Sequence, residues 1–282
     1  MNEEYRKKIE QIKVDGEEYA DSAMKGVYLE QKAALDELHN FIGKVYIDHA
    51  KDGVLVLSTT RQQQLTASMK AKLKTMGLEL GNSEVEKVTA LLGEIFSATY
   101  YKNAFVLESG MKANLKFNIL KPEFVDSAVM TEFKGEMFSD RIWANKAGMI
   151  DHLQSSIIRA MKGDVHLDKV ARDIRDRLNV TAYESQRLVA TETARIQSQA
   201  SVDIAKSTGV VKHMWSATLD MKTNPEDASY DGKVYDIGDP DEPENPLHPN
   251  CRCCWINVPY VWVVSIGKER QCEQKDNRLH QL

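Results

Sequence analysis

The residues with the most chemistry to offer lie in "PLHPNCRCCW", 246–255. This stretch holds three of the chain's four cysteines, one of its seven histidines and two of its seven prolines. His248, Cys251 and Cys253 are of types that bind a soft divalent metal, and thiolates with an imidazole suit zinc. His-x-x-Cys fits one turn. Cys-x-Cys at the head of a strand puts both thiols on one face, with Cys254 pointing the other way into core packing. The difficulty is a fourth ligand. The sequence has no second Cys-x-x-Cys and no His pair, and the candidates are Asp227, Asp231 and the distant Cys272. The candidate metal set is His248, Cys251 and Cys253 with one of these three. The pattern favours a proline-fixed turn with buried cysteines, carrying substoichiometric zinc or none.

Other chemistries find less support. A nucleophilic cysteine needs a base beside it and a third group to orient that base. His248 near Cys251 supplies the types, but no protease signature surrounds them. The acids of 219–247 are scattered among prolines on no periodic face, unlike a nuclease pair. No Gly-rich phosphate cradle and no G-x-S-x-G elbow occurs. A metal-dependent enzyme or toxin-like effector using the 219–253 cluster is the alternative class.

The elements that must position these residues change character along the chain. Up to about residue 209 the apolar spacing is helical. Leu35, Leu38, Ile42 and Val45 mark one stripe, which "KDG" at 51–53 stops. The run "GVLVLS" then reads as a linker or bent helix more than a strand. Ser83–Glu86 and Thr181–Glu184 both have the form of capping boxes and predict two helix starts, the second helix ending at Gly209. A break at "LKPEFVDSAV" precedes a helix predicted over about 136–161. Beyond Gly209, "VVKHMWSATLD" alternates as a half-buried strand does, with His213, Trp215, Ala217 and Leu219 on one face. An Asp-Gly turn at 231–232 introduces another short strand. Pro240, Pro243, Pro246 and Pro249 then fix a loop, and "CCWINVPYVWVV" reads as a β-rich strand. Trp215 and Trp255 are expected in one small core. Arg195 and Arg252 read either as pairing with Glu192 or with an acid near Asp220 or Asp231, which would tie the long helix to the sheet, or as separate exposed arginines. The predicted fold class is α+β: a long helical N-terminal part, then a small mixed α+β unit with short antiparallel strands. The predicted organisation is a helical region over 1–135, the mixed domain over 136–265 and a polar tail over 266–282.

Composition limits the function classes. With 282 residues the chain has room for about two domains, and 42% apolar with 28% charged residues is ordinary globular composition. No run approaches the roughly 20 apolar residues of a membrane span. The start, "MNEEYRKKIEQIKVDG", lacks the apolar core of a signal peptide, so a cytoplasm-like compartment with reduced thiols is expected. The net charge of −5 is uneven: nine acids against Lys222 and Lys233 over 219–247 leave the rest of the chain at about +2. That balance predicts a solvated acidic loop and, at most, weak non-specific DNA binding.

Four ordered blocks carry a resemblance: "TETARIQSQA" at 191–200, "WSATLDMKT" at 215–223, "YDGKVYDIGD" at 230–239 and "PLHPNCRC" at 246–253. Together they resemble the Mu F-like minor head proteins of the phage head morphogenesis family, over about residues 140–260. The resemblance implies a non-enzymatic minor capsid protein of a tailed-phage head, in the head interior of the virion and in the host cytoplasm during assembly. Implied partners are the portal protein, the scaffold or the major capsid protein, with roles in DNA packaging or delivery. Many members carry Cys-x-x-Cys, or a His at its second position, where this chain reads Asn224-Pro-Glu-Asp227. That departure leaves Asp227 as the substitute ligand. Family members fused to toxins carry the toxin beyond the matched region, and only about thirty residues follow Cys253, too few for an independent domain.

Overall fold

The computed structural model describes residues 3–111, 115–218, 220 and 223–259. The expected class is what it shows: long helices, then a small unit with short antiparallel strands. The far end of the "CCWINVPYVWVV" strand and the polar tail lie outside the described residues.

Helix α1 (Glu3–His49) follows the predicted stripe, with Leu35, Leu38, Ile42 and Val45 all buried. It ends where Asp52 and Gly53 take φ of 51° and 75°. Two successive residues at positive φ make the kind of turn that matches strand twist. "GVLVLS" therefore begins a hairpin, β1 (Ala50–Lys51) against β2 (Val54–Leu55), rather than a linker or bent helix.

Helix α2 (Thr59–Met111) corrects the first capping box. Ser83 sits in mid-helix, where its hydroxyl donates to Glu30 Oε2 at 2.6 Å, and Glu84 is buried. The stripe Leu65, Met69, Leu73, Met76, Leu80 and Val88 is buried without interruption, so packing holds the helix through the local start signal. The helix contains Gly77 and Gly81, where added Cβ atoms would run into Ile150 and Trp143. They are glycines because another helix lies against them.

That helix is α4 (Phe138–Met161), close to its predicted span. The break before it holds a short helix, α3 (Pro122–Val129), with proline at its first position. Helix α5 (Leu167–Thr208) corrects the second capping box. Thr181 Oγ1 donates back to the Arg177 carbonyl at 2.9 Å, as an interior helical threonine does. Val170, Ile174, Thr181, Ser185 and Leu188 continue one buried stripe across it.

The chain gathers into two compact units, each assembled from separate stretches. One comprises residues 21–90 and 132–189. Its core runs from Leu35 to Ile174, and Lys146 and Glu84 form an ion pair inside it, 2% and 1% exposed. The other comprises 1–20, 91–131 and 190–282. In it, residues 191–197 of α5 are buried on every side. Gln197 there donates to the Ile12 and Lys13 carbonyls of α1 at 3.1 and 3.2 Å, in space that Gly16 leaves open.

The same unit holds a three-stranded antiparallel sheet. β3 (Lys212–Ser216) lies between β4 (Val234–Asp236) and β5 (Cys254–Asn257). β3 is buried on both faces rather than one. Trp215, opposite Trp255, faces the tryptophan core, while Ser216 on the other face bonds Glu10 at 2.7 Å and Arg6 at 3.0 Å on α1. Among the described residues no helix is long and apolar enough to cross a membrane.

Candidate functional site

Three of the four predicted metal residues converge. Helix α6 (Pro225–Tyr230) begins where the Asn224 side chain accepts the Glu226 N–H at 3.0 Å and Pro225 takes the first helical position. Its first turn carries Asp227 inward, 3% exposed. From the proline loop, His248 places Nε2 2.7 Å from Asp227 Oδ2, and its Nδ1 lies 2.9 Å from the Pro249 carbonyl. One turn on, Cys251 N–H donates to the His248 carbonyl, and its Sγ lies 3.9 Å from Asp227 Oδ1. One ligand atom from each of Asp227, His248 and Cys251 lies within 4.8 Å of the others. Cys253 is outside that trio but adjoins the Cys251 thiol. Asp231 is elsewhere, accepting from Arg6 and from the Ala217 N–H. Cys272 lies outside the described residues.

The loop is held in place from behind. Asn250 adopts φ of 61°, which asparagine tolerates better than most residues, and its N–H donates to Thr191 Oγ1 of α5 at 3.2 Å. Asn245 donates to the Cys253 carbonyl at 3.3 Å. Cys251 and Cys253 pack with Trp215, Ala217 and Trp255 in one small core, as expected for the two tryptophans. The two indoles meet edge to face at 4.9 Å. Cys254 is only half-buried. It lines an open groove with Arg6, Glu10 and Lys13 of α1 instead of packing in a core.

The electrostatics follow from this crowding. Burial works against a charged His248, but the Pro249 carbonyl and the Asp227 carboxylate outweigh it and raise the pKa. With an acceptor at each ring nitrogen, the imidazolium form satisfies both. The hydrogen bond from the Cys253 thiol is the main cause lowering the Cys251 pKa. Burial opposes it, and backbone N–H groups of Cys253 and Leu247 reinforce it. Cys253, the partner that keeps its proton, is raised.

Both singled-out arginines make ion pairs of the expected kind, Arg195 with Glu192 and Arg252 with Asp220, but without tying the long helix to the sheet. Arg195 pairs with Glu192 at 2.6 Å on its own helix and donates to the Ala128 and Val129 carbonyls at 3.1 and 3.2 Å. It closes the C-terminal end of α3 rather than tying the long helix to the sheet. Arg252 holds Asp220 with two bonds of 2.7 Å. Nor are the acids of 219–247 simply solvated. Asp220, Asp227, Asp231, Asp236 and Glu242 each hold a cationic side chain or a histidine.

Sequence reasoning missed Asn224, Thr191 and the Pro249 carbonyl. Asn-Pro-Glu at 224–226 is a helix-start signal that could have located α6. Nothing in the sequence marks Thr191, which reaches the loop across 59 residues.

The described residues of every quoted block thus fall within one unit: 191–200 on the buried part of α5, the others on and around β3, β4 and the loop leading to β5. Residues 151–256 match the family model described as Phage Mu protein F like protein. An uncharacterized protein of Haemophilus influenzae is 27% identical over 114 residues, which cover 39% of this chain. The chain spans a quarter of that relative's length. No solved structure matches.

Proposed function

We propose that this protein is a minor head component of a tailed phage, acting in procapsid assembly at or near the portal and in the packaging or delivery of DNA. The observation that supports this best is the Mu F-like match over 151–256, within which the polar residues mostly brace one element against another. Its partners on this reading are the portal protein, the scaffold or the major capsid protein, and its place is the head interior. A cysteine-nucleophile enzyme would need His248 free to take the Cys251 proton. Its two nitrogens instead face Asp227 and Pro249, which favours a non-enzymatic role.

The test is mass spectrometry of purified procapsids and mature heads, followed by cryo-electron microscopy without imposed symmetry. The expected result is the chain at low copy number, with density at the portal vertex. Its absence from both particles would sink the reading.

A further inference from the structure

The sequence left the "HPNCRC" loop without a credible fourth ligand and favoured a metal-free turn. The geometry changes that balance. Asp227, separated from His248 by 21 residues, comes to 2.7 Å from its Nε2 and 3.9 Å from Cys251 Sγ. Zinc bonds of about 2.0 Å to nitrogen or oxygen and about 2.3 Å to sulfur, arranged tetrahedrally, put donor atoms roughly 3.3–3.6 Å apart. The two observed spacings, one to each carboxylate oxygen of Asp227, lie on either side of that range, and one ligand atom from each of Asp227, His248 and Cys251 lies within 4.8 Å of the others. Opening the first by about 0.6 Å and closing the second by a few tenths makes room for an ion.

The surroundings also fit. His248 Nδ1 faces the Pro249 carbonyl at 2.9 Å, the outer contact that fixes a ligating imidazole and turns Nε2 towards the metal. Asp227 and Cys251 are 3% and 1% exposed, whereas the His248 side chain is 34% exposed and gives an ion a way in. Calcium and magnesium take shells of oxygen, so a mixed oxygen, nitrogen and sulfur set selects a borderline-soft ion. Cys253, buried with Cys251 in the same small core, offers a further thiol.

We propose that Asp227, His248, Cys251 and Cys253 bind one zinc ion, which clamps α6 to the proline loop and the head of β5. Binding displaces the Nε2 proton of His248 and the thiol protons of both cysteines. The site is structural: it joins three short elements of one unit. The inference stands on the loop geometry and is independent of the head-assembly reading.

The test uses the full chain, purified under reducing conditions, stripped with a chelator and titrated with Co²⁺ alone. One equivalent should bind, giving a thiolate-to-cobalt charge-transfer absorption and the visible bands of a tetrahedral site. One equivalent of Zn²⁺ should abolish both. Cys251→Ser and Cys253→Ser should each remove about half of the charge-transfer intensity, one of two sulfur–metal bonds. His248→Gln, whose amide can still donate to Asp227 and hold the turn, should weaken Co²⁺ binding at least about tenfold, the loss typical even of an outer-shell partner. If Cys251→Ser fails to fold, the His248→Gln comparison decides. Folded wild-type protein with no charge-transfer band would overturn the proposal, as would His248→Gln binding Co²⁺ as tightly as wild type.

Discussion

His213 shows how much one side chain of the small sheet is asked to hold. It is fully buried, its ring stacks on Trp255 at 3.7 Å within 3° of parallel, and its Nε2 lies 2.6 Å from Glu242. Its Nδ1 has no hydrogen-bond partner among the described residues. Burial lowers its pKa, and the Glu242 carboxylate offsets this only in part. The folded state therefore holds this proton less readily than the unfolded chain, whose histidine titrates near 6.5. The His213 contribution to stability should be undiminished above that value and should fall as pH drops from about 6.5 towards the lowered folded pKa. Urea midpoints measured across that window should rise with pH in the wild type, and His213→Gln should flatten the rise. An equal slope in the variant would show that other groups carry it. Trp215 makes a separate prediction. It is 0% exposed and packs against Trp255, Ala217 and the two cysteines, so Trp215→Ala should cost about 3–5 kcal/mol in urea unfolding. Fluorescence showing Trp215 in water in the native state would refute its placement.

At the scale of elements, what was legible in the sequence was whatever repeats. The stripes of α1 and α4 were readable because many residues vote for one period, and β3 was located by its alternation although it is buried on both faces. Signals resting on two residues failed. Ser83–Glu86 and Thr181–Glu184 carry the letters of a helix start inside helices that burial holds together on either side. The Asp227, His248 and Cys251 cluster was half legible for the same reason. The spacing within 248–253 is local, whereas the approach of Asp227 is a tertiary event that depends on a six-residue helix. The buried Lys146–Glu84 pair was not legible at all, since charged residues at those positions read as solvated faces. Glu84 also accepts from Gln31 at 2.9 Å, and Gln31 reaches Ser185 at 3.0 Å, so one ion pair links several helices of that unit. Removing one charge strands the other in a dry core. Lys146→Met alone should cost about 3–5 kcal/mol. Adding Glu84→Met should recover most of that, because an apolar pair of similar volume needs no desolvated charge. A double-mutant cycle showing simple additivity would count against the pair as a coupled unit.

For the whole molecule the deciding quantity is how its charge is distributed. The net value of −5 conceals a segment, 219–247, with nine acids and two lysines. Five of those acids hold Arg252, His248, Arg6, Lys212 and His213. The pairing works in both directions. It anchors the segment to its own unit, and it commits Arg6, Lys212 and Arg252 to internal partners, leaving them poorly placed to neutralise phosphate. The remainder of the chain is only about +2, so few phosphates can be met at once. DNA binding depends on releasing counterions, with a slope of about −0.9 per phosphate neutralised in log affinity against log salt. For two or three contacts, affinity should fall roughly 10–40-fold between about 50 and 200 mM salt. Binding of a mixed-sequence duplex should therefore be weak at low salt, indifferent to sequence and nearly gone at physiological ionic strength. Fluorescence anisotropy against salt concentration measures both the affinity and the slope. Sub-micromolar, sequence-selective binding at physiological salt would require a basic face that this charge distribution does not provide.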